Sequence, residues 1–377
     1  MFPACFVALL LGTSPFTLGA EGLELGLATT TDWMRVGSGG ADEGDALANL
    51  TELSMLIDTE SLWGHSGGTI FLFGAYTSGD DPGVLTGSIH APSNLAADED
   101  WRLLEAWYEQ RLGDGRTAIL GGVYAVDSEF DAKATAEVFT NGAFGTGLDW
   151  SESGAEGPGI FPQTGLGIRL RHAFNTQMSA RVALVDGAPT GGSFSDRLRV
   201  GGNEGAFLIS EFEYQPAGVA QHRFAAGGWT YSEDQERFDG RGDTDRSAGA
   251  YAFWEGTLYS DPENPGRTLS SFVRLGLSTE ATNPVSEHLS GGIAAAGLLP
   301  SRSGDITGLG ISHGRFSAWV ADEVPGSADS ETVVELTHAM QVTGHLLVQP
   351  VLQYLINPLD AAGKDAFLFG LRVSIGI

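Results

Sequence analysis

Cysteine is nearly missing from these 377 residues: the one thiol, Cys5, falls within the first 20 positions, and the rest of the chain has no means of forming a disulfide or a thiolate metal site. Lysine is almost as scarce, with Lys133 and Lys364 against 18 Arg, and 48 acidic residues leave a formal charge of −28. Nucleic-acid binding needs a basic footprint, so DNA and RNA are excluded as partners. Beyond the first 20 residues no apolar run approaches the roughly 18 residues of a membrane helix; the best, Gly292 to Leu299, is short and rich in Gly and Ala. A membrane form of this chain must therefore be a barrel. Signatures of catalysis are missing too: there is no G-x-S-x-G, no H-E-x-x-H, no G-K-[ST] phosphate loop and no G-x-G-x-x-G opening a helix. The eight His are scattered, with His338 and His345 the nearest pair. No catalytic group, metal site or cofactor is read from the chain.

What is abundant points to strands. Fifty-four Gly, 20 Phe and 8 Trp with only 18% charged residues suit twisted strands and tight turns better than an α/β enzyme. Residues 1–20 hold an apolar stretch from Phe6 to Leu11 and end in Leu-Gly-Ala, which resembles a secretory signal cleaved after Ala20, although no Lys or Arg precedes it. At the other end Phe367, Phe369, Leu371, Val373, Ile375 and Ile377 alternate with Gly370, Arg372, Ser374 and Gly376. One face is oily and the other wet, as expected of a final strand that closes a barrel onto the first and leaves no edge. The fold class expected is all-β, a transmembrane antiparallel β-barrel of about 16 strands, with 21–377 as a single domain.

Alternation and turn residues predict strands over 23–35, 48–59, 68–77, 102–112, 116–125, 165–175, 178–186, 206–215, 222–231, 248–258, 269–278, 290–299, 308–321, 331–342, 346–356 and 366–377. The connections alternate in length. Gly113 to Gly115, Asn175 to Gln177, Pro216 to Gln221 and Thr343-Gly344 are short; 78–101, 126–164, 187–205, 232–247, 279–289 and 322–330 are long and mostly acidic. With the C-terminus on the periplasmic side every long loop falls outside the cell, the usual asymmetry of bacterial barrels.

Energy decides which face is which. An Arg on the lipid side at mid-membrane costs on the order of 2–4 kcal/mol, so Arg points inward wherever it opposes an apolar face. Arg169 and Arg171 then face the lumen opposite Leu166, Ile168 and Leu170, and Arg181, Arg274 and Arg372 follow the same rule. On 102–112 the lumen set is Glu105, Trp107, Glu109 and Arg111, with Leu104, Ala106 and Tyr108 opposite; Glu211, Glu213, Glu331 and Glu335 also turn inward. So many charges suit a water-filled channel. They could touch solute, or neutralise one another as a structural ladder, or both. The bias to Arg likewise fits either a pore lining or genomic base composition.

Several segments resemble the carbohydrate-selective porins of the OprB family: Leu104 to Gln110 (LEAWYEQ), Gly113 to Arg116, Ser128 to Phe130, Phe139 to Asn141 with Phe144-Gly145, Phe161-Pro162 ahead of Gly165 to Gly167, Val185 to Pro189, Leu298 to Asp305, Gln349 to Tyr354, Asn357-Pro358 and Gly370 to Arg372. They span most of the chain in order. The resemblance implies a 16-stranded outer-membrane barrel that passes small sugars such as glucose by diffusion, with a constriction of charged and aromatic side chains and inward-folded loops. Two departures accompany it: the family usually ends in Phe where this chain has Ile377, and residues before Leu50 carry no family block.

Within that reading the Trp107 indole could stack on a sugar's C–H face beside Glu105, Glu109 and Arg111, or pack against a loop as part of the wall. The loop 126–164 carries Phe130, Phe139, Phe144, Trp150 and Phe161, aromatics that need cover, and could fold into the barrel mouth or cap it. Acidic stretches such as Glu233 to Glu236 and Asp239 to Asp245 could bind Ca²⁺ or bridge lipopolysaccharide through divalent ions, or stand solvated. Expected partners are small sugars, outer-membrane lipid and lipopolysaccharide, the barrel-assembly machinery and further copies of the chain. A general non-selective porin, a barrel enzyme such as a lipid hydrolase, and a secreted β-rich binding protein are the rival classes.

Overall fold

A strand with alternating faces leaves unpaired N–H and C=O groups along both edges, and in the middle of a membrane only closure removes them. The computed structural model describes residues 21–155, 157–189, 205–218, 222–299, 301–361 and 363–376. The expected signal over 1–20 with Cys5, most of the 187–205 loop, the end of the Pro216 to Gln221 turn, Pro300 and Ile377 lie outside the described residues. The strands are β1 (Leu23–Gly39), β2 (Gly44–Asp58), β3 (Gly68–Gly79), β4 (Asp100–Leu112), β5 (Thr117–Tyr124), β6 (Gly165–Ala173), β7 (Met178–Asp186), β8 (Ala206–Tyr214), β9 (Arg223–Tyr231), β10 (Gln235–Glu236), β11 (Thr244–Asp245), β12 (Ala248–Ser260), β13 (Thr268–Ser278), β14 (Val285–Ala296), β15 (Ile306–Phe316), β16 (Ser330–Thr343), β17 (Leu346–Ile356) and β18 (Ala366–Gly376). All but β10 and β11, a small hairpin in an outer loop, join one closed antiparallel barrel of 16 strands. β1 closes it against β18 from Ala28 opposite Gly376 to Gly39 opposite Ala366.

Every strand expected from the sequence is present; β1 runs on to Gly39 rather than 35 and β2 begins at Gly44 rather than 48, and β14, β15 and β4 differ for reasons of pairing. β14 starts at Val285 rather than 290: Val285 pairs with Phe316 of β15, the register skips Ser286, and beyond that bulge Glu287 meets Arg315 of β15 at 2.8 Å on the outer surface while His288 is buried inside. The connection before it is correspondingly only 279–284, not a long loop. β15 stops at Phe316 rather than 321, since the Ser317 hydroxyl donates to the Asn283 carbonyl at 2.6 Å and the chain turns into a single helical turn, Val320–Glu323. On β4 the pairing with β3 skips Leu104, with Phe73 opposite Glu105 and Gly74 opposite Leu103. That bulge turns Leu104, expected toward lipid, into the interior, where it is 4% exposed.

The outer wall is apolar, with Leu53, Ile168, Leu275, Leu289 and Ile311 each more than 40% exposed. Aromatic pairs ring both rims. Trp33 meets Phe369 edge-on at 5.6 Å and Tyr76 lies 4.9 Å from Trp101 at the outer rim; Tyr214 and Phe224 stack at 6.4 Å at the inner one. Short turns close the inner rim. In the Gly113 to Gly115 turn both glycines hold positive φ, 57° and 81°, conformations a Cβ would strain.

Candidate functional site: the lumen and its inner loop

Inward-facing side chains of a wide barrel meet either water or another part of the chain. Here the segment between β5 and β6 docks on the inner wall, because its aromatics need cover and the wall supplies both apolar and hydrogen-bonding surface. Phe139 and Phe144 stack with centroids 4.4 Å apart and lean on Phe272. The wall opposite them is glycine for a packing reason: a Cβ at Gly292 would sit 2.9 Å from Phe139 Cζ, and one at Gly310 2.7 Å from Phe144 Cε1. Trp150 is fully buried and stacks on Phe207 at 6.0 Å, while Phe130 joins Trp107, Leu120 and Tyr124 in the same apolar cluster.

The polar half of the docking is a set of wall carboxylates that accept from loop backbone N–H groups. Glu211 takes the Asp131 N–H at 2.9 Å, Glu255 that of Thr135 at 2.9 Å, and Glu335 those of Thr140 and Asn141 at 2.8 and 3.0 Å. Gln349 donates to the Val138 carbonyl at 2.7 Å. A loop cannot bury its backbone without such partners.

Arginines of the wall interleave with acids of neighbouring strands and of the loop. Arg169 donates to Glu109 at 2.7 Å and grips Glu129 through Nε and Nη2 at 2.7 and 2.8 Å; the Tyr124 hydroxyl donates to Glu129 at 2.8 Å. Arg181 reaches Glu213 at 2.9 Å, Glu211 at 3.8 Å and the Glu129 carbonyl. Arg223 continues the series to Glu255 at 2.6 Å and Glu213 at 3.3 Å. Arg274, fully buried, meets Asp131 at 3.0 Å and also Asp149; Lys133 completes this cluster on Asp131 at 2.8 Å. The guanidinium lies so close to Gly147 that a Cβ there would overlap it. Asp131 belongs to the loop, not to a crossing strand: burial works against its charge, but Arg274 and then Lys133 outweigh burial and hold its carboxyl at about 2.

A second loop, between β3 and β4, folds inward on the other side. Arg372 forms a two-pronged pair with Asp32, both contacts 2.7 Å, and donates to Asn94 at 2.6 Å, while Ser93 donates to Asp32 at 2.6 Å. Glu331 takes the Ile89 N–H at 3.3 Å, His90 Nδ1 at 2.9 Å and the Ser88 hydroxyl. Arg102 ends on Thr77 and the Asp98 carbonyl at 3.2 and 3.0 Å.

The sequence-derived residues thus fall into different settings. Arg169 meets Glu109 and Arg181 approaches Glu211, whereas Glu105 pairs with no arginine among the described residues: it accepts from the Trp107 indole N–H at 2.6 Å. Trp107 keeps 7% of its surface exposed and packs on Phe71 at 5.3 Å. Arg274 and Arg372 are buried under loops. Arg111 and Arg171 stay in contact with water near the inner rim. The partners that sequence reasoning missed, Glu129, Asp131, Lys133, Asp149 and Asp32, sit mostly on the loop; its acidic residues spaced among aromatics were the available signal.

This arrangement has relatives. The chain matches the model of the carbohydrate-selective porin, OprB family, over residues 42–376, which takes in part of the stretch before Leu50. Porin B of Pseudomonas aeruginosa is 25% identical over 319 residues, covering 73% of this chain and 68% of that protein. OprB of Pseudomonas putida, solved at high pH, superposes with a TM-score of 0.84 at 17% identity, covering 94% of each chain. OmpF of Salmonella typhi shares the fold more loosely, with a TM-score of 0.58 at 13% identity over 94% of this chain and 98% of that one. A closed barrel of this order, matched to that family across nearly its whole length, belongs to the OprB family of carbohydrate-selective outer-membrane porins.

Proposed function

We propose that the chain is exported by residues 1–20, inserted by the barrel-assembly machinery, and passes small neutral sugars such as glucose by passive diffusion. The observation that supports this reading is the inner loop: it docks on the inner wall through Glu211, Glu255 and Glu335, while Arg181 of β7, Glu213 of β8 and Arg223 of β9 beside it keep part of their side chains exposed. Hydroxyl-rich rings exchange hydrogen bonds with such groups, whereas apolar solutes gain nothing there. The pore set is Glu105, Trp107, Glu109, Arg111, Arg169, Arg171, Arg181, Glu211, Arg274 and Arg372, with a division of labour: water-exposed arginines meet solute, and buried members set the loop that narrows the path.

Trp107 separates stacking from packing. Single-channel current of Trp107→Ala and the parent protein, each titrated with glucose, is the measurement. Loss of a stacking partner weakens glucose block several-fold, since such contacts are worth roughly 0.5–1.5 kcal/mol, with open-channel current kept. Loss of a packing residue instead makes the open current noisy and leaves the half-blocking concentration where it was. The buried setting of the indole favours the second outcome.

A further inference from the structure

We propose that Arg111 and Arg171 form a binding step at the periplasmic mouth of the pore for monosaccharides that carry a carboxylate or phosphate. This rests on the sugar-pore reading and extends it to an anionic substrate class. The register puts the two arginines on one rung of the inner wall: Arg111 of β4 stands opposite Ala118 of β5, Ala118 opposite Arg171 of β6, and Arg171 opposite Arg181 of β7. Two strand spacings, roughly 10 Å, separate their backbones, and only the methyl of Ala118 stands between. Alternation from Glu109 and Arg169, both tied to groups inside the barrel, aims both side chains inward.

What distinguishes this pair is the lack of a counter-charge. The other inward arginines of the described strands end on a carboxylate, or for Arg102 on Thr77 and the Asp98 carbonyl. Arg111 and Arg171 have no ion pair among the described residues, although the wall around them is rich in Glu. Glu109, nearest on β4, is taken by Arg169, and Arg181 is drawn toward Glu213. Like charges set directly opposite, as Arg171 and Arg181 are, weaken a sheet, so packing alone gives no reason for the arrangement. Both side chains reach water, unlike the buried arginines higher in the barrel.

Two free guanidinium forks over a small residue match an oxyanion, which can accept charge-assisted bonds from both; a neutral hydroxyl makes weaker ones. The outer loops carry the opposite sign, with Asp42, Glu43, Asp80, Asp81, Glu233 and Asp234. The basic step therefore lies at the inner end of an acidic entry, where it draws an anionic sugar onward rather than gathering it outside.

The test uses the full-length barrel in planar bilayers, with glucose, glucuronate, glucose 6-phosphate and inorganic phosphate as blockers. Glucuronate and glucose 6-phosphate are expected to half-block at about ten-fold lower concentration than glucose, a gap set by charge-assisted bonds. In the Arg111→Ala, Arg171→Ala double variant that ratio falls to within about two-fold, and in the double Lys variant it stays intermediate, because charge persists without the fork. Equal block by glucuronate and glucose in the parent overturns the proposal, as does a gap that survives the double Ala variant. Inorganic phosphate as potent as glucose 6-phosphate overturns the sugar as ligand. Should glucose neither block nor cross while glucuronate block still depends on the two arginines, the neutral-sugar reading fails and the anion step stands. A retained heat-dependent gel shift certifies that each variant is folded.

Discussion

At the scale of single residues, the lumen charges are mostly fasteners. Removing one partner of a buried pair leaves the other charge stranded, at a cost of about 3–5 kcal/mol. Asp131 is the sharpest case, since it meets Arg274, Lys133, the Trp150 indole at 3.0 Å and the Gly147 N–H at 3.1 Å. Asp131→Ala should lower the urea midpoint of unfolding and raise current noise as the loop loosens; a quiet channel of unchanged stability would refute the role. The pH dependence follows from sign. The folded carboxyl sits near 2, below its unfolded value of roughly 3.9, so its contribution is complete at pH 5 and disappears as pH falls from about 4 toward 2. Noise in the parent channel is expected to rise over that interval and not between pH 7 and 5. Which charges point inward could be read from the sequence, because an Arg facing lipid costs too much. Their partners could not: that Arg169 meets Glu129 depends on how a loop folds back, and that Glu335 holds two backbone N–H groups leaves no trace in side-chain order.

At the scale of elements, strand positions were legible because period-two alternation survives wherever one face meets lipid. It fades where the inner face is polar and the outer rim charged, as in the first five residues of β14, where alternation does not mark the strand. The β4 bulge at Leu104 had no signal, as an extra residue changes pairing without changing composition. Loop 126–164 announced its need for cover through aromatics, but its seat on Gly292 and Gly310 emerges only in three dimensions. Gly310→Val tests that seat: the added side chain meets Phe139 and Phe144 at less than 3.0 Å, so the loop must shift, at a cost of about 1–3 kcal/mol. Single-channel conductance should change while the gel shift on heating persists. Unaltered conductance would mean that the loop does not set the pore.

At the scale of the whole molecule, closure of β1 on β18 gives a sheet with no free edge, and barrels of this kind unfold slowly in detergent. The folded protein should run differently in cold SDS and after boiling. The family was legible before the fold was known because its motifs lie along the whole chain in order, whereas preference among sugars depends on a path set by loop seating. Liposome swelling with the purified full-length barrel addresses the central claim most directly. Entry of glucose several-fold faster than of a neutral amino acid of similar size is the outcome expected of a carbohydrate-selective pore; equal rates would make it a general diffusion channel, and no swelling with either solute would contradict the account.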